Sequence, residues 1–309
     1  MRTSSLLTAS LTVILLAACS SNNALTGTSP SPPNQLAQGA DRIRGRISPA
    51  ESESQLLYAS NKVNSVIDIY SVPGYNKVGQ ISNGIEEPEG IATDAQGNLY
   101  VANVDGDNVT IYKPNQTSPS RTLIDSHEPD DVAVAANGYV LAADIAGGVD
   151  VYPPGETSPS ARLTNRGIIT VRGVAVDSNN NVYAAGTNAS SQGVVIEYAG
   201  MSGGGTNLGL QDLESPLGIL IDKNNDVVVS DVSADKIFTY TPGKTSPSSE
   251  ISVPGPHRSA FNATENLIYV PQGAGGDVEV IDYPGGGRVT SFSIGAFASG
   301  TASSAAATP

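Results

Sequence analysis

Short apolar runs recur along most of this chain, and polar turns separate them. The stretch EPEGIATDAQGNLYVAN, at residues 87–103, has two such runs on either side of the turn DAQGN. β-Branched and aromatic residues favour strands, whereas Asp, Gly and Asn favour tight hairpin turns. The pattern therefore predicts an antiparallel hairpin at this position.

The second strand of this hairpin, LYVAN, recurs at regular intervals. Its copies end at positions 61, 103, 144, 186, 231 and 272, which are 41 to 45 residues apart. Another strand follows each copy, as in NVTIYKP and GVDVYPP, and in three copies a last strand follows the turn TSPS. Four short strands repeated at about 42 residues are typical of a β-propeller blade.

The first unit lacks its opening strand, because it begins directly with LLYAS. The missing strand is found at the other end of the chain, where ASGTA at 298–302 aligns with PEGIA at 88–92. We predict an all-β, six-bladed β-propeller of four-stranded blades, closed by the C-terminal strand that completes the first blade. Such closure leaves no open edge between blades.

Each opening strand begins with a pattern related to P-x-G, whose middle residue is expected at one mouth of the central channel. The six middle residues are Glu89, Asp130, Arg172, Leu217, Arg258 and Ser299. His257 and Asp131 lie next to ring positions, and His127 lies three residues before one. Polar groups that converge on a concavity indicate a ligand site. The alternative is that the two acids and two arginines form ion pairs that neutralise the channel.

The full repeat reads P-x-G-hydrophobic-A-hydrophobic-D, a turn, hydrophobic-Y-V-A-[DN], and then V-x-V-Y. This pattern resembles NHL repeats over residues 55–302. The copy LLYASNKVNSVIDIY also resembles YVTN-type repeats, which usually build seven blades, but the count here favours six. The resemblance implies a propeller without implying one function. NHL-like propellers include protein-binding modules, sugar-lactone hydrolases and antibiotic-cleaving lyases.

Two enzyme alternatives follow from that resemblance. Gluconolactonase-like enzymes hold a divalent cation with acids from several blades, but here Arg172 stands beside Glu89 and Asp130 and would oppose it. Streptogramin lyases imply a catalytic histidine, for which His257 is the candidate, and a magnesium site. The tryptophans and aromatic strand ends of that family are absent. We therefore predict no metal ligands, no cofactor and no catalytic residue; a divalent cation belongs to the enzyme alternative only.

The N-terminus reads as a targeting segment. Its apolar stretch is too short to span a bilayer, and Leu16-Ala17-Ala18-Cys19 resembles the lipobox of bacterial lipoproteins. The resemblance implies cleavage before Cys19 and lipidation of its thiol. We predict a signal peptide at 1–18, a lipidated Cys19 with a flexible tether at 19–54, the propeller at 55–302 and a disordered tail at 303–309. Ser20, in place of an inner-membrane aspartate signal, favours the outer membrane of a two-membrane envelope.

Charge limits the possible partners. Thirty acidic residues against sixteen basic ones give a net charge of −14, which excludes nucleic acid as a partner because phosphate backbones select basic surfaces. We predict a membrane-anchored envelope lipoprotein, bound to lipid through Cys19, whose propeller is a binding scaffold. Its ligand is a protein, a glycan or a small anion held by Arg172 and Arg258. A metal-dependent hydrolase or lyase is the alternative.

Overall fold

The computed structural model describes residues 55–304. The predicted signal peptide, Cys19, the tether and the last five residues lie outside the described residues. Within them the chain forms 24 strands in six four-stranded antiparallel sheets. This confirms the predicted six-bladed β-propeller.

Each blade is built from four strands that follow one another in sequence, except in the first blade. Blade one has β1 Leu56–Asn61, β2 Val66–Ser71 and β3 Lys77–Ile81, and blade two has β4 Pro88–Thr93, β5 Leu99–Asn103, β6 Asn108–Tyr112 and β7 Arg121–Ile124. Blade three has β8 Pro129–Val134, β9 Val140–Asp144, β10 Gly148–Tyr152 and β11 Ala161–Thr164, and blade four has β12 Thr170–Val176, β13 Val182–Thr187, β14 Gly193–Tyr198 and β15 Thr206–Asn207. Blade five has β16 Pro216–Ile221, β17 Val227–Asp231, β18 Lys236–Tyr240 and β19 Ser249–Ser252, and blade six has β20 Ala260–Phe261, β21 Leu267–Pro271, β22 Asp277–Asp282 and β23 Arg288–Ser293. The last strand is β24 Ala298–Ser303.

The C-terminal strand closes the ring as predicted. β24 pairs antiparallel with β1, from Leu57 opposite Ser303 to Asn61 opposite Ala298. It ends one residue beyond the predicted boundary, and the hydroxyl of Ser304 still accepts the N–H of Leu56 at 2.8 Å. The two ends of the described chain are thus held together by strand pairing, which does not require a disulfide.

The hydrophobic core is divided among the six interfaces between neighbouring blades. Each interface holds one cluster of buried apolar side chains from the facing sheets, such as Leu141, Val151, Val174 and Ile196 between blades three and four. Alternate residues of each strand therefore point to opposite interfaces. This explains why middle strands such as LYVAN and VLAAD are apolar at nearly every position rather than at every second one.

The tyrosine at the end of the V-x-V-Y strand fastens a blade to the preceding one. The hydroxyl of Tyr112 donates to the carbonyl of Asn83 at 2.7 Å, and that of Tyr152 donates to the carbonyl of Ile124 at 2.9 Å. Buried tyrosine hydroxyls need such partners, and in these blades the repeat supplies a polar contact between neighbours. The hydroxyl of the equivalent Tyr198 in blade four has no partner among the described residues.

In blades four and five, aspartate side chains hold the turn after the inner strand, which is the strand that lines the channel. Asp177 Oδ1 accepts the N–H groups of Asn179 and Asn181 at 2.8 Å each, and Asp222 makes the equivalent pair of bonds. The hydrogen bonds of the turn therefore occupy these carboxylates. No helix in residues 55–304 is long and apolar enough to cross a membrane.

Candidate functional site

The ring positions coincide with an irregularity in strand pairing. In blades one to five the register of the inner strand shifts by one residue where the ring residue sits, as between Pro129 and Asp131 or between Val171 and Gly173. A β-bulge of this kind leaves one residue unpaired and re-aims its side chain. Repeating it around the propeller directs the ring side chains to one mouth of the channel.

Arg258 reaches across this mouth and joins three other blades. Its Nη1 donates to Glu89 Oε2 at 2.8 Å, and its Nη2 pairs with Asp130 Oδ2. Its Nε donates to the carbonyl of Arg172 at 3.1 Å. The side chain of Arg258 is only 5% exposed, and those of Glu89 and Asp130 are 8% and 2% exposed. The guanidinium thus closes the channel at this end with a buried ion-pair network.

A second cation completes the pairing of Glu89. The ammonium group of Lys62 pairs with Glu89 Oε1 and lies 3.1 Å from Glu87 Oε1. Burial alone would raise the pKa of Glu89, but the charges of Arg258 and Lys62 outweigh it and hold that pKa below its usual value. The repeat pattern does not single out Lys62. The sequence feature that could have identified Lys62 is its position directly after Asn61, at the end of a repeated strand that lies at the channel mouth.

The remaining ring residues differ in environment. Arg172 contacts Asp130 through Nη1 at 3.3 Å and keeps 41% of its side chain exposed. Leu217 is buried. Ser299 is fully buried, and its hydroxyl has no hydrogen-bond partner among the described residues. Arg172 is therefore the ring residue that offers the most side-chain surface to a ligand.

His257, the candidate base of the enzyme alternative, is buried beside this network. Its ring packs edge-on against Phe297 with 5.1 Å between centroids, and its Nδ1 has no hydrogen-bond partner among the described residues. Burial and the neighbouring charge of Arg258 lower the pKa of His257 to about 4. An imidazole with so low a pKa and no hydrogen-bonded acid is a weak general base.

The glycine of the P-x-G pattern allows neighbouring inner strands to approach closely. A Cβ atom on Gly90 would lie 2.0 Å from Asp131 Oδ1. Asp131 occupies the glycine position in blade three, and its two oxygens accept the N–H groups of Val132 and Val174 at 2.9 Å each. Burial raises the pKa of Asp131 to about 7.

Behind the ion-pair network the channel continues as a cavity of about 240 Å³. Arg258 and Asp131 form its inner end, and the far ends of the inner strands surround its opening, including Thr93, Ile221 and Ser303. The channel is thus closed at the ring and open on the opposite face of the propeller.

The ring residues do not fit a divalent cation. Glu89 and Asp130, the two acids that would supply ligands, both pair with the guanidinium of Arg258, which lies between them. A dication there would have to displace a buried arginine whose pKa these carboxylates hold above its ordinary value against the opposing effect of burial. The arrangement neutralises charge; it does not present free ligands or a paired acid and base.

Comparisons with known proteins agree with this architecture. A family model described as "Strictosidine synthase-like, N-terminal" matches residues 80–111. Comparison with curated proteins found no match.

Two solved structures are similar over most of the chain. A chain of the crystal structure of a nidogen/laminin complex has 15% identity and a TM-score of 0.66, covering 82% of this chain and 99% of that one. A protein of unknown function from Bacteroides caccae has 13% identity and a TM-score of 0.64, covering 81% of this chain and 98% of that one. At these identities the likeness shows the fold alone, a β-propeller.

Proposed function

We propose that this protein is a binding module of the cell envelope, anchored by a lipid on Cys19, which holds a protein partner on the face of the propeller that carries the ring. The observation that carries the proposal is the position of Arg258. Its guanidinium pairs with both acids of the ring and closes the channel mouth. The ring acids that a hydrolase or lyase would need as metal ligands are engaged in this network.

This geometry favours a protein ligand over a small anion. Such a ligand was expected to contact both Arg172 and Arg258, but the charge of Arg258 is already neutralised by Glu89 and Asp130. Arg172 is then the remaining ring arginine that could bind an anion, and it also contacts Asp130. One exposed guanidinium gives little affinity for a small anion in water.

The loops around the ring offer a surface of the kind that proteins contact. A depression of about 390 Å³ lies there, lined by Lys62, Val63, Ser65, Glu87, Asp105 and Phe297. Val63 is 72% exposed and shares this lining with Phe297. Apolar groups rimmed by charges of both signs are typical of protein-protein contact surfaces.

Site-specific photo-crosslinking in cells tests this proposal. A photoreactive phenylalanine analogue placed at Val63 should give one discrete crosslinked species. The same analogue at Val289, which is 57% exposed on the outer strand β23, is the matched control and should give none. A Val63 adduct that contains peptides of a second protein by mass spectrometry supports a protein partner. An adduct whose added mass is carbohydrate indicates a glycan instead and overturns the proposal, as does no adduct at Val63 or equal adducts at both positions.

A further inference from the structure

A second cluster of ionisable side chains lies away from the channel, between blades two and three. Asp125 and His127 belong to the loop between β7 and β8, and Asp150 lies on β10. His127 Nδ1 is 3.2 Å from Asp150 Oδ2 and 3.9 Å from Asp125 Oδ1, and one ligand atom from each residue lies within 4.8 Å of the other two. Donor atoms about 2.0 to 2.2 Å from a shared metal ion lie about 3 to 4 Å apart, so small side-chain adjustments would let these three bind one ion.

Neighbouring groups fix the orientation of the two carboxylates. Asp125 Oδ2 accepts the hydroxyl of Tyr152 at 2.8 Å, and Asp150 Oδ2 lies 3.2 Å from Nη1 of Arg162. Arg162 is itself held by Asp144 through two bonds of 2.5 and 2.8 Å. Outer contacts of this kind orient metal ligands in proteins.

The cluster also carries a surplus of negative charge in a buried position. The side chains of Asp125, Asp144 and Asp150 are at most 3% exposed, and among the described residues the only arginine or lysine within salt-bridge distance of them is Arg162. Acidic groups therefore outnumber basic ones in this buried cluster. Because buried charge is costly without compensation, a bound cation would stabilise it.

The other blades show that the propeller fold does not require these residues. Five positions before the ring, where blade three has Asp125, the other blades have Gly84, Gly167, Asp212, Val253 and Ile294. Three positions before the ring, where blade three has His127, they have Glu86, Ile169, Glu214, Gly255 and Ala296. In blade one the counterpart of Asp150 is Asp68, whose charge is met by Lys77 at 2.7 Å. In blade three Asp150 also has a cationic neighbour, Arg162, but His127 and Asp125 lie beside it as further oxygen and nitrogen donors.

We propose that Asp125, His127 and Asp150 bind one divalent transition-metal ion, and that Zn²⁺ suits the site best. Zinc accepts one imidazole nitrogen and two carboxylate oxygens with little geometric preference, and imidazole favours it over calcium or magnesium. His127 coordinates through a deprotonated Nδ1, and its side chain is 38% exposed, so the ion enters from solvent and keeps a water ligand. The three ligands include no ring residue and none of the residues that line the depression at Val63.

Thermal unfolding with Zn²⁺ tests the site on the full chain, purified in detergent. Zinc at about 100 times its Kd should raise the melting temperature by roughly 5 °C or more, and calorimetric titration should give one ion per chain. His127→Ala removes a partly exposed ligand and should melt normally without zinc but lose the zinc shift. Glu128→Gln, a change at the neighbouring exposed acid, should retain the shift.

Each result has a defined meaning. A zinc shift in the native chain and in Glu128→Gln, absent in His127→Ala, supports the site. An equal shift in His127→Ala overturns it, and so does a native chain that shows no shift and no calorimetric binding. If His127→Ala unfolds, Co²⁺ absorption of the native chain decides: intense visible bands of a four-coordinate site support the proposal, and their absence overturns it.

Discussion

Nη1 of Arg258 in blade six donates a hydrogen bond of 2.8 Å to Oε2 of Glu89 in blade two, although the two residues are 169 positions apart in sequence. The same guanidinium also pairs with Asp130 in blade three. A single side chain thus connects the end of the repeat array to its beginning. The contact depends on closure of the ring, because only closure brings blade six next to blade one.

Loss of this arginine should strongly destabilise the fold. Arg258→Met leaves the buried carboxylates of Glu89 and Asp130 without their main partner, and breaking a buried ion pair in this way costs about 3 to 5 kcal/mol. Urea unfolding should show a loss of this size. Arg172→Met, at the 41% exposed arginine, is the control and should lose less than about 1 kcal/mol. Equal small losses for both variants would mean that the network contributes little.

Removal of the C-terminal strand should open the ring. A chain ending before Ala298 loses the pairing of β24 with β1 and exposes the edge of blade one. The melting temperature should fall sharply in a calorimetric scan, whereas a chain ending after Ser304 should melt like the full chain. An unchanged melt of the shorter truncation would contradict the role of this strand in closure.

Two buried groups should give opposite dependences of stability on pH. Asp131 has a pKa raised from 3.8 to about 7, so the folded chain binds more protons between these values and its stability falls as the pH rises from about 4 to about 7. His257 has a pKa lowered from 6.5 to about 4, so it contributes stability that is present above pH 6.5 and is lost as the pH falls through this window.

Variants separate the two titrations. Relative to the native chain, Asp131→Asn should gain stability as the pH rises from about 4 to about 7, and His257→Gln should lose it over about 4 to 6.5. Urea midpoints measured across this range give both profiles. A profile parallel to that of the native chain, for either variant, would show that the residue does not titrate as proposed.

The lipid anchor has its own test. Replacement of Cys19 by Ser removes the one thiol of the chain and should move the protein from the membrane fraction to the soluble fraction. Ser21→Ala, two positions away, should remain in the membrane fraction. Retention of the Cys19 variant in membranes would contradict lipid anchoring at this residue.

The repeat made the fold predictable in some detail, down to the strand that closes the ring. Positions such as Asp177 and Asp222 were also predictable as turn formers, because a side chain that bonds its own neighbours needs only local sequence. The pairing of Arg258 was harder to predict. The partners of Arg258 depend on which ring side chains are long enough to reach across the channel. The repeat does not specify this. The cluster at His127 was missed because its ligands come from two elements and depart from the repeat.

The most direct test of the role of the ring is thermal unfolding in the presence of Ca²⁺ or Mg²⁺. The native chain and the matched variant Glu89→Gln are compared at each ion concentration. If Glu89 and Asp130 serve only the network around Arg258, neither ion should produce a shift that depends on Glu89. A shift in the native chain that disappears in Glu89→Gln would show that the ring holds a divalent cation, and it would favour the hydrolase or lyase alternative over a binding module.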